Sequence, residues 1–514
     1  MNIITGLLRR ARANPDAVLV RCGDDTLTAG QFVERSGRLA AFFLAQGLMP
    51  GDRVGICLPN DPHWVPTWAG ILQAGGTAVP INVLISPTAL QHVVSDSGMR
   101  WVITRPQDLA RVNDLLASSI GSGEVRLMST ERAEGASISL EDLPPTLMTA
   151  VVPRLDDTDA MIMYTSGSTG VPKGVRQTHR NTSSQCEAVE QVYDLTSADH
   201  ALVCTPLFHV GGLQLILLPV LLAGGSVTLM RKWDKGEWIE RSLAMRPTVT
   251  ALVPTMMIDI ANACAEKPIT LDSYRVCMVG GSALPPGPLK RFNDSTGITC
   301  IRTVYGQTEQ NGLCSTEPAD ETPRYLTMGK PLAQIIEWQV VDLDIMEPVA
   351  HGSSTVGELW VRGDALTPGY WNNPRGSAER FLDGWFRTGD MVTVDGDGYL
   401  YFADRADDMI ISGGENVFPQ VVENAMSLSP LISEVSVIGT PHERYVHQVT
   451  AIVVPAKPEV TIEDIAAWCR EHPDLQGLQS PRRIEIVEQL PRTPNNKVDR
   501  MALRKLFSSS LPGR

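Results

Sequence analysis

An apolar run, Ala160-Met-Ile-Met163, passes directly into Tyr164-Thr-Ser-Gly-Ser-Thr-Gly-Val-Pro-Lys-Gly174. The six residues from Thr165 to Gly170 carry four hydroxyls and two glycines, so a buried strand has to end there and a loop has to begin. Glycines let backbone N–H groups converge on one point, and hydroxyls add further donors, which suits the loop to a polyphosphate. Lys173 supplies a positive charge within a short reach. The spacing differs from the Walker loop, in which Gly-Lys-Ser/Thr opens a helix, because Pro172 precedes this lysine and Gly174 follows it. A flexible Ser/Gly linker is the competing reading, and the fixed lysine argues against it.

The chain around this loop has α/β texture. Short β-branched runs alternate with helical patterns from about residue 50 to 310. Arg53-Val-Gly-Ile-Cys-Leu58 and Ala201-Leu-Val-Cys204 have the pattern of buried strands. Each precedes an apolar helix and a small-residue turn into another strand, Ala74-Gly-Gly-Thr-Ala-Val79 in one case and Ala223-Gly-Gly-Ser-Val-Thr228 in the other. This echo predicts two related α/β subdomains. From about 335 to 404 short strands with Gly and Asp turns predict a β-rich subdomain. After about 408 comes a compact α/β module, with strands at Glu434–Ile438 and Val449–Val454 and a helix capped by Thr461 with Asp464 three residues on. The expected organisation is a large domain over 1–404 and a small mobile domain over 405–514, consistent with a length of 514 residues at roughly 150 per unit.

Lys and Arg number 44 against 58 Asp and Glu, a formal charge of −14 that argues against a general nucleic-acid or anionic-membrane binder. Any anionic ligand must therefore be gripped locally. Nine scattered cysteines without a C-x-x-C pair suit a reduced, cytoplasmic setting, and the N-terminus lacks the order of a signal peptide. Val210 to Met230 is uncharged over 21 residues, but Pro219, Gln214 and the Ala223-Gly-Gly break predict a buried helix, a turn and a strand rather than a membrane span.

The 164–174 segment resembles the phosphate loop of the ANL superfamily of adenylate-forming enzymes, which includes acyl- and aryl-CoA synthetases, nonribosomal-peptide adenylation domains and firefly-type luciferases. Further blocks match in the family's order: Pro206-Leu-Phe-His-Val-Gly-Gly212, Gly280-Gly-Ser-Ala-Leu-Pro285, Tyr305-Gly-Gln-Thr-Glu309, Trp385-Phe-Arg-Thr-Gly-Asp390, Asp404-Arg-Ala-Asp-Asp408 and Leu490-Pro-Arg-Thr-Pro-Asn-Asn-Lys497. The resemblance spans about residues 10 to 505. It implies that ATP is held by Thr165, Ser166, Gly167, Ser168, Thr169, Gly170 and Lys173, with Gly281, Ser282 and Ala283 as a wall for adenine. It further implies that Tyr305 stacks on adenine beside Gly306 and Thr308, that Asp390 accepts both ribose hydroxyls, and that Arg405 lies near ribose and phosphate. Glu309 would help hold the Mg²⁺ that accompanies ATP.

The same resemblance gives Lys497 the central catalytic role, with Thr165, Lys173, His209 and Glu309 as its partners. Attack of a carboxylate on the α-phosphate brings anions together, and a lysine there stabilises charge where it develops. The family has Gly before this lysine; here it is Asn496, the non-glycine residue most tolerant of positive φ. Asp408 is the implied swivel of the small domain, with Ser412, Gly413 and Gly414 bordering a tunnel for the thiol of coenzyme A. Asp407 replaces a more usual lysine, and His442-Glu-Arg-Tyr-Val-His447 stands where relatives have Trp-Gly-Glu. The two histidines are five apart, which excludes a zinc-helix reading.

Amino-acid-activating relatives carry an aspartate where His209 stands, so a free amino acid is not the expected substrate. His209, Val210, Gly211, Met256, Met257 and Gly281 form the expected acyl pocket, apolar and suited to an aliphatic, aryl or polycyclic acid; Met256 and Met257 could equally be plain core. The expected function is an AMP-forming acid–thiol ligase acting on a small carboxylic acid, ATP and CoA, as a monomer or homodimer. Loading of an acyl carrier protein, luciferase-like oxidation and a non-catalytic nucleotide-binding regulator are the alternatives at this point.

Overall fold

The two Ala-Gly-Gly turns organise the two largest sheets in the same way. The strand Arg53–Cys57 pairs in parallel with Thr77–Pro80 across the helix Trp64–Gln73. His200–Val203 pairs in parallel with Ser226–Leu229 across a broken helical stretch. Gly76 N–H donates to the Ile71 carbonyl and Gly225 N–H to the Val220 carbonyl, each at 2.9 Å. Gly75 and Gly224 have φ of +83° and +91°. A Cβ at Gly225 would lie 2.5 Å from the Asp199 carbonyl oxygen, so the chain returns to the sheet closer than any side chain allows.

The structure, a computed structural model, describes residues 2–117, 125–136, 138–165, 171–282, 284, 286–319, 321–324, 327–405, 408–412, 415–442, 444–477, 479–493 and 497–507, the side chains of 411, 415, 416 and 446 excepted. The first sheet has seven strands, ordered Ile138–Ser139, Arg126–Ser129, Trp101–Thr104, Arg53–Cys57, Thr77–Pro80, Asp159–Thr165 and Lys173–Thr178. The second has nine and places Val249–Leu252, Val276–Gly280 and Ile301–Tyr305 side by side, all parallel. Thr77–Pro80, Trp101–Thr104 and Val249–Leu252 are buried at every position, as strands covered on both faces must be. One apolar cluster containing Phe43, Trp64, Trp68, Met161, Val203 and Leu217 runs between the two sheets, so the two subdomains share a core.

The uncharged stretch from Val210 folds as a helical turn, a π-helical Leu213–Leu217, a helix Leu218–Leu222 and the strand Ser226–Leu229. Among the described residues no helix is long and apolar enough to cross a membrane.

A six-stranded antiparallel sheet follows, built on Glu337–Asp342, Gly357–Arg362, Trp385–Val394 and Leu400–Arg405. A separate small domain then folds on a five-stranded sheet whose long hairpin joins Ile432–His442 to Val446–Pro455. This hairpin exceeds the expected Glu434–Ile438 because pairing continues to His442 opposite Val446, which leaves His447 exposed at its end. The helix Ile462–Glu471 opens with the expected box: Thr461 Oγ1 accepts from Asp464 N–H at 3.2 Å, and Thr461 N–H donates back to Asp464 Oδ2 at 3.0 Å.

Candidate active site

The segment expected to hold phosphate is flanked by an antiparallel pair. Thr165, at the end of Asp159–Thr165, faces Lys173, the first residue of Lys173–Thr178. Ser166, Gly167, Ser168, Thr169 and Gly170 lie outside the described residues. The segment 367–371 runs along the exit strand: Arg176 N–H donates to the Gly369 carbonyl at 3.2 Å, and Trp371 N–H to the Gly174 carbonyl at 2.7 Å. Tyr370 links two of the expected residues. Its hydroxyl donates to Glu309 Oε1 at 2.8 Å, and Lys173 Nζ lies 5.6 Å from the centre of its ring. Thr367 N–H adds a bond to the Glu309 carbonyl at 2.8 Å. Tyr370 was not among the residues read from sequence, and its only local signal is an aromatic pair after Pro368-Gly369.

The strand Ile301–Tyr305 delivers the next group. A Cβ on Gly306 would lie 1.7 Å from the Gly312 carbonyl oxygen, so the turn after Tyr305 folds onto its own backbone. The Tyr305 hydroxyl and Gln307 Nε2 each donate to Asp390 Oδ2 at 2.5 Å. Arg405 Nη1 pairs with Asp390 Oδ1 at 3.0 Å. Asp390 is only 2% exposed, and burial holds its carboxyl above the ordinary range while Arg405 opposes. A carboxylate offers about four lone-pair positions; Tyr305 and Gln307 fill those of Oδ2 and Arg405 takes one on Oδ1, which leaves room for a hydroxyl donor on Oδ1. Thr308 is buried, its carbonyl accepting from Gln177 Nε2 at 3.3 Å.

The small domain reaches this site. Arg492 and Val498 form an antiparallel bridge, and Thr493 N–H donates to the Lys497 carbonyl at 2.8 Å, which fixes Lys497 against Thr493. Gly281, at φ +87°, stands beside it: a Cβ there would lie 3.3 Å from Lys497 Cε and 3.8 Å from Nζ. Burial and the nearby Arg405 guanidinium hold the Lys497 ammonium below the ordinary lysine range, with Asp390 acting the other way. His209 is pushed down to about 3 by burial and by Lys497, so its ring is neutral near pH 7. Gly211 N–H donates to His209 Nδ1 at 3.1 Å, which assigns the ring proton to Nε2.

Of the remaining residues, Val210 is buried, Gly211 half-buried and Ser282 exposed. Met256 and Met257 are buried in the apolar cluster around the helix Pro254–Cys264, Met256 Sδ lying 4.0 Å from Cys204 Sγ. Ser412 is buried in the small domain's sheet. Asp408 accepts from Arg504 Nη2 at 2.7 Å. Ala283, Asp407, Gly413, Gly414 and Asn496 lie outside the described residues.

The fold and these blocks define an adenylate-forming enzyme, and comparison with known proteins agrees. The family described as AMP-binding enzyme matches residues 7–371, and the AMP-binding enzyme C-terminal domain matches 421–497. The chain belongs to this family, the AMP-binding or ANL adenylate-forming enzymes. It is 35% identical over 506 residues to a feruloyl-CoA synthase from Amycolatopsis sp, covering 97% of this chain and 98% of that one. Among solved structures, a benzoate CoA ligase from Burkholderia xenovorans is 26% identical with a TM-score of 0.88, over 98% of this chain and 100% of that one. MatB from Rhodopseudomonas palustris, 25% identical over 99% of both chains, gives a TM-score of 0.87 in its ATP-bound form and 0.77 in its apo form.

Proposed function

We propose that this chain converts a carboxylic acid to its CoA thioester in two steps, with Lys497 as the residue that makes the first step possible. ATP-dependent adenylation followed by thioester formation is the reaction of the family's CoA ligases, and the site is built for it. The carrying observation is the seat of Lys497, a residue of the small domain that stands against Gly281 of the large one. The greater likeness to ATP-bound than to apo MatB, at equal identity, supports reading this arrangement as the adenylating pose.

In the first step a carboxylate oxygen of the acid attacks the α-phosphorus, the bond to the β-phosphate oxygen breaks, and pyrophosphate leaves. Thr165, Lys173 and the loop between them grip the outer phosphates. Asp390 takes the ribose hydroxyls, and its bonds from Tyr305 and Gln307 keep it from turning. His209 offers Nε2–H as a neutral donor to the acid. Lys497 meets the charge growing on the phosphoryl oxygens.

The Glu309 carboxylate fits a magnesium ion brought by the nucleotide: Tyr370 takes Oε1, and Oε2 has no hydrogen-bond partner among the described residues. When bound, such an ion neutralises phosphate charge. In the second step the small domain turns about Asp408, the CoA sulfur attacks the acyl carbon, and the carbon–oxygen bond to AMP breaks.

Aryl acids lead the candidates for the substrate, because the feruloyl-CoA synthase and the benzoate CoA ligase are both relatives. Acid-dependent exchange of labelled pyrophosphate into ATP, run with ferulate, benzoate, decanoate and a steroid-derived acid, tests the first step. Exchange with at least one acid, followed by faster transfer to CoA than to a phosphopantetheinyl carrier protein, is expected. No exchange with any acid would remove the enzyme reading.

A further inference from the structure

A charge cluster that the adenylation chemistry does not use crosses the Asp408 swivel. Arg500 lies three residues after Lys497 and opens the helix Arg500–Phe507. Its Nη2 donates to both oxygens of Glu423, at 2.7 and 2.8 Å. Its Nη1 reaches Asp404 Oδ1 at 3.3 Å and Asp408 Oδ2 at 3.4 Å. Asp404 belongs to Leu400–Arg405, the last strand before the swivel, whereas Glu423 and Arg500 lie after it. Asp404 is 0% exposed, and its Oδ2 accepts a second bond across the swivel, from Gln420 N–H at 3.1 Å. Its neighbour Arg405 holds Asp390, so adjacent residues grip the nucleotide site and the small domain.

We propose that Asp404 and Arg500 form a latch that fixes the small domain in the pose seating Lys497, which makes Asp404 a positioning residue for adenylation but not for thioester formation. The inference rests on the two-step reading above. Turning about Asp408 carries Arg500 and Gln420 away from Asp404, so both contacts must break. Glu423 travels with Arg500 and keeps its guanidinium paired, so release strands no buried cation on the small domain.

The cluster is pH-sensitive. Burial pushes the Asp404 carboxyl up to about 6, Glu423 acting in the same direction and Arg500 opposing. The Arg405 backbone N–H also donates to Asp404, and Asp408, itself paired with Arg504, shares the Arg500 guanidinium. Above that pH Asp404 is ionised and the latch forms; as pH falls through it, the carboxylate takes a proton and the ion pair is lost.

The test compares full-length wild type, Asp404→Asn and Lys497→Ala in both half-reactions. Pyrophosphate exchange is run with whichever of the four acids above exchanges fastest, and thioester formation with the matching acyl-adenylate and CoA. Asp404→Asn should lower exchange by about tenfold, the worth of one hydrogen bond to a charged group, and flatten its decline below pH 6. Thioester formation should be unchanged or faster, which also certifies that the variant folds. Equal loss of both half-reactions, or of neither, overturns the latch. Arg500→Gln, read by the same two assays, should lower exchange more than transfer, and the opposite order also overturns it. If Lys497→Ala itself fails to separate the half-reactions, the two-step reading fails instead.

Discussion

Gly287→Ala probes the interface between the domains without touching the nucleotide site. Gly287 lies in the first turn of the helix Pro286–Thr296, and a Cβ built there would sit 2.3 Å from the carbonyl oxygen of Ser427, at the end of the small-domain helix Pro419–Met426. Real Cβ contacts essentially never fall under 3.0 Å, so one backbone must retreat by about 0.7 Å, and neither atom belongs to a side chain that can rotate away. Within its own helix alanine is favoured over glycine by up to about 1 kcal/mol, so the large domain should not lose stability. The strain falls on the docked pose. Overpacking of this kind costs about 1–3 kcal/mol, equivalent to a fall of roughly 5- to 150-fold in the rate that needs Lys497 seated. Pyrophosphate exchange should drop by that factor while transfer from a supplied acyl-adenylate to CoA keeps its wild-type rate. Equal loss in both assays, or wild-type exchange, would show that Gly287 does not bear on the docked pose.

Two further outcomes follow from the electrostatics and burial. In the proposed first step Lys497 acts on the phosphoryl charge only while it carries its proton, and its site holds it below the ordinary 10.5. Exchange should therefore decline on the alkaline side before an ordinary lysine would titrate, and transfer from supplied adenylate should lack that limb; identical alkaline profiles would contradict this. All nine cysteines are free and, Cys300 apart, buried. Burial also raises their thiols, with Cys57 at about 11 and Cys204 at about 12. A thiol reagent at pH 8 should label at most one of them rapidly in the native chain and all nine after denaturation, whereas several fast native thiols would contradict the packing.

What was legible in the sequence was local. The capping pair Thr461 and Asp464 needs only three residues of spacing, and both Ala-Gly-Gly turns could be recognised because the same short contacts recur in each. The motif blocks likewise announce Asp390, Glu309 and Lys497 one at a time. Contacts made across the fold were not legible. Gln307 reaches Asp390 over 83 positions and Tyr370 reaches Glu309 over 61, and nothing near either residue marks the partner. Asp404 stands in a matching block, but nothing in the sequence marks Arg500, 96 positions away, as its partner. The π-helical turn at Leu213–Leu217 escaped for a different reason, since periodicity separates helix from strand but not one helical hydrogen-bond spacing from another.

In the proposed mechanism a lysine from the small domain serves adenylation alone. Lys497→Ala measures it. Acid-dependent pyrophosphate exchange should fall by about a hundredfold or more, while supplied acyl-adenylate is still converted to thioester at close to the wild-type rate. Undiminished exchange, or parallel collapse of both steps in a folded variant, would contradict the account.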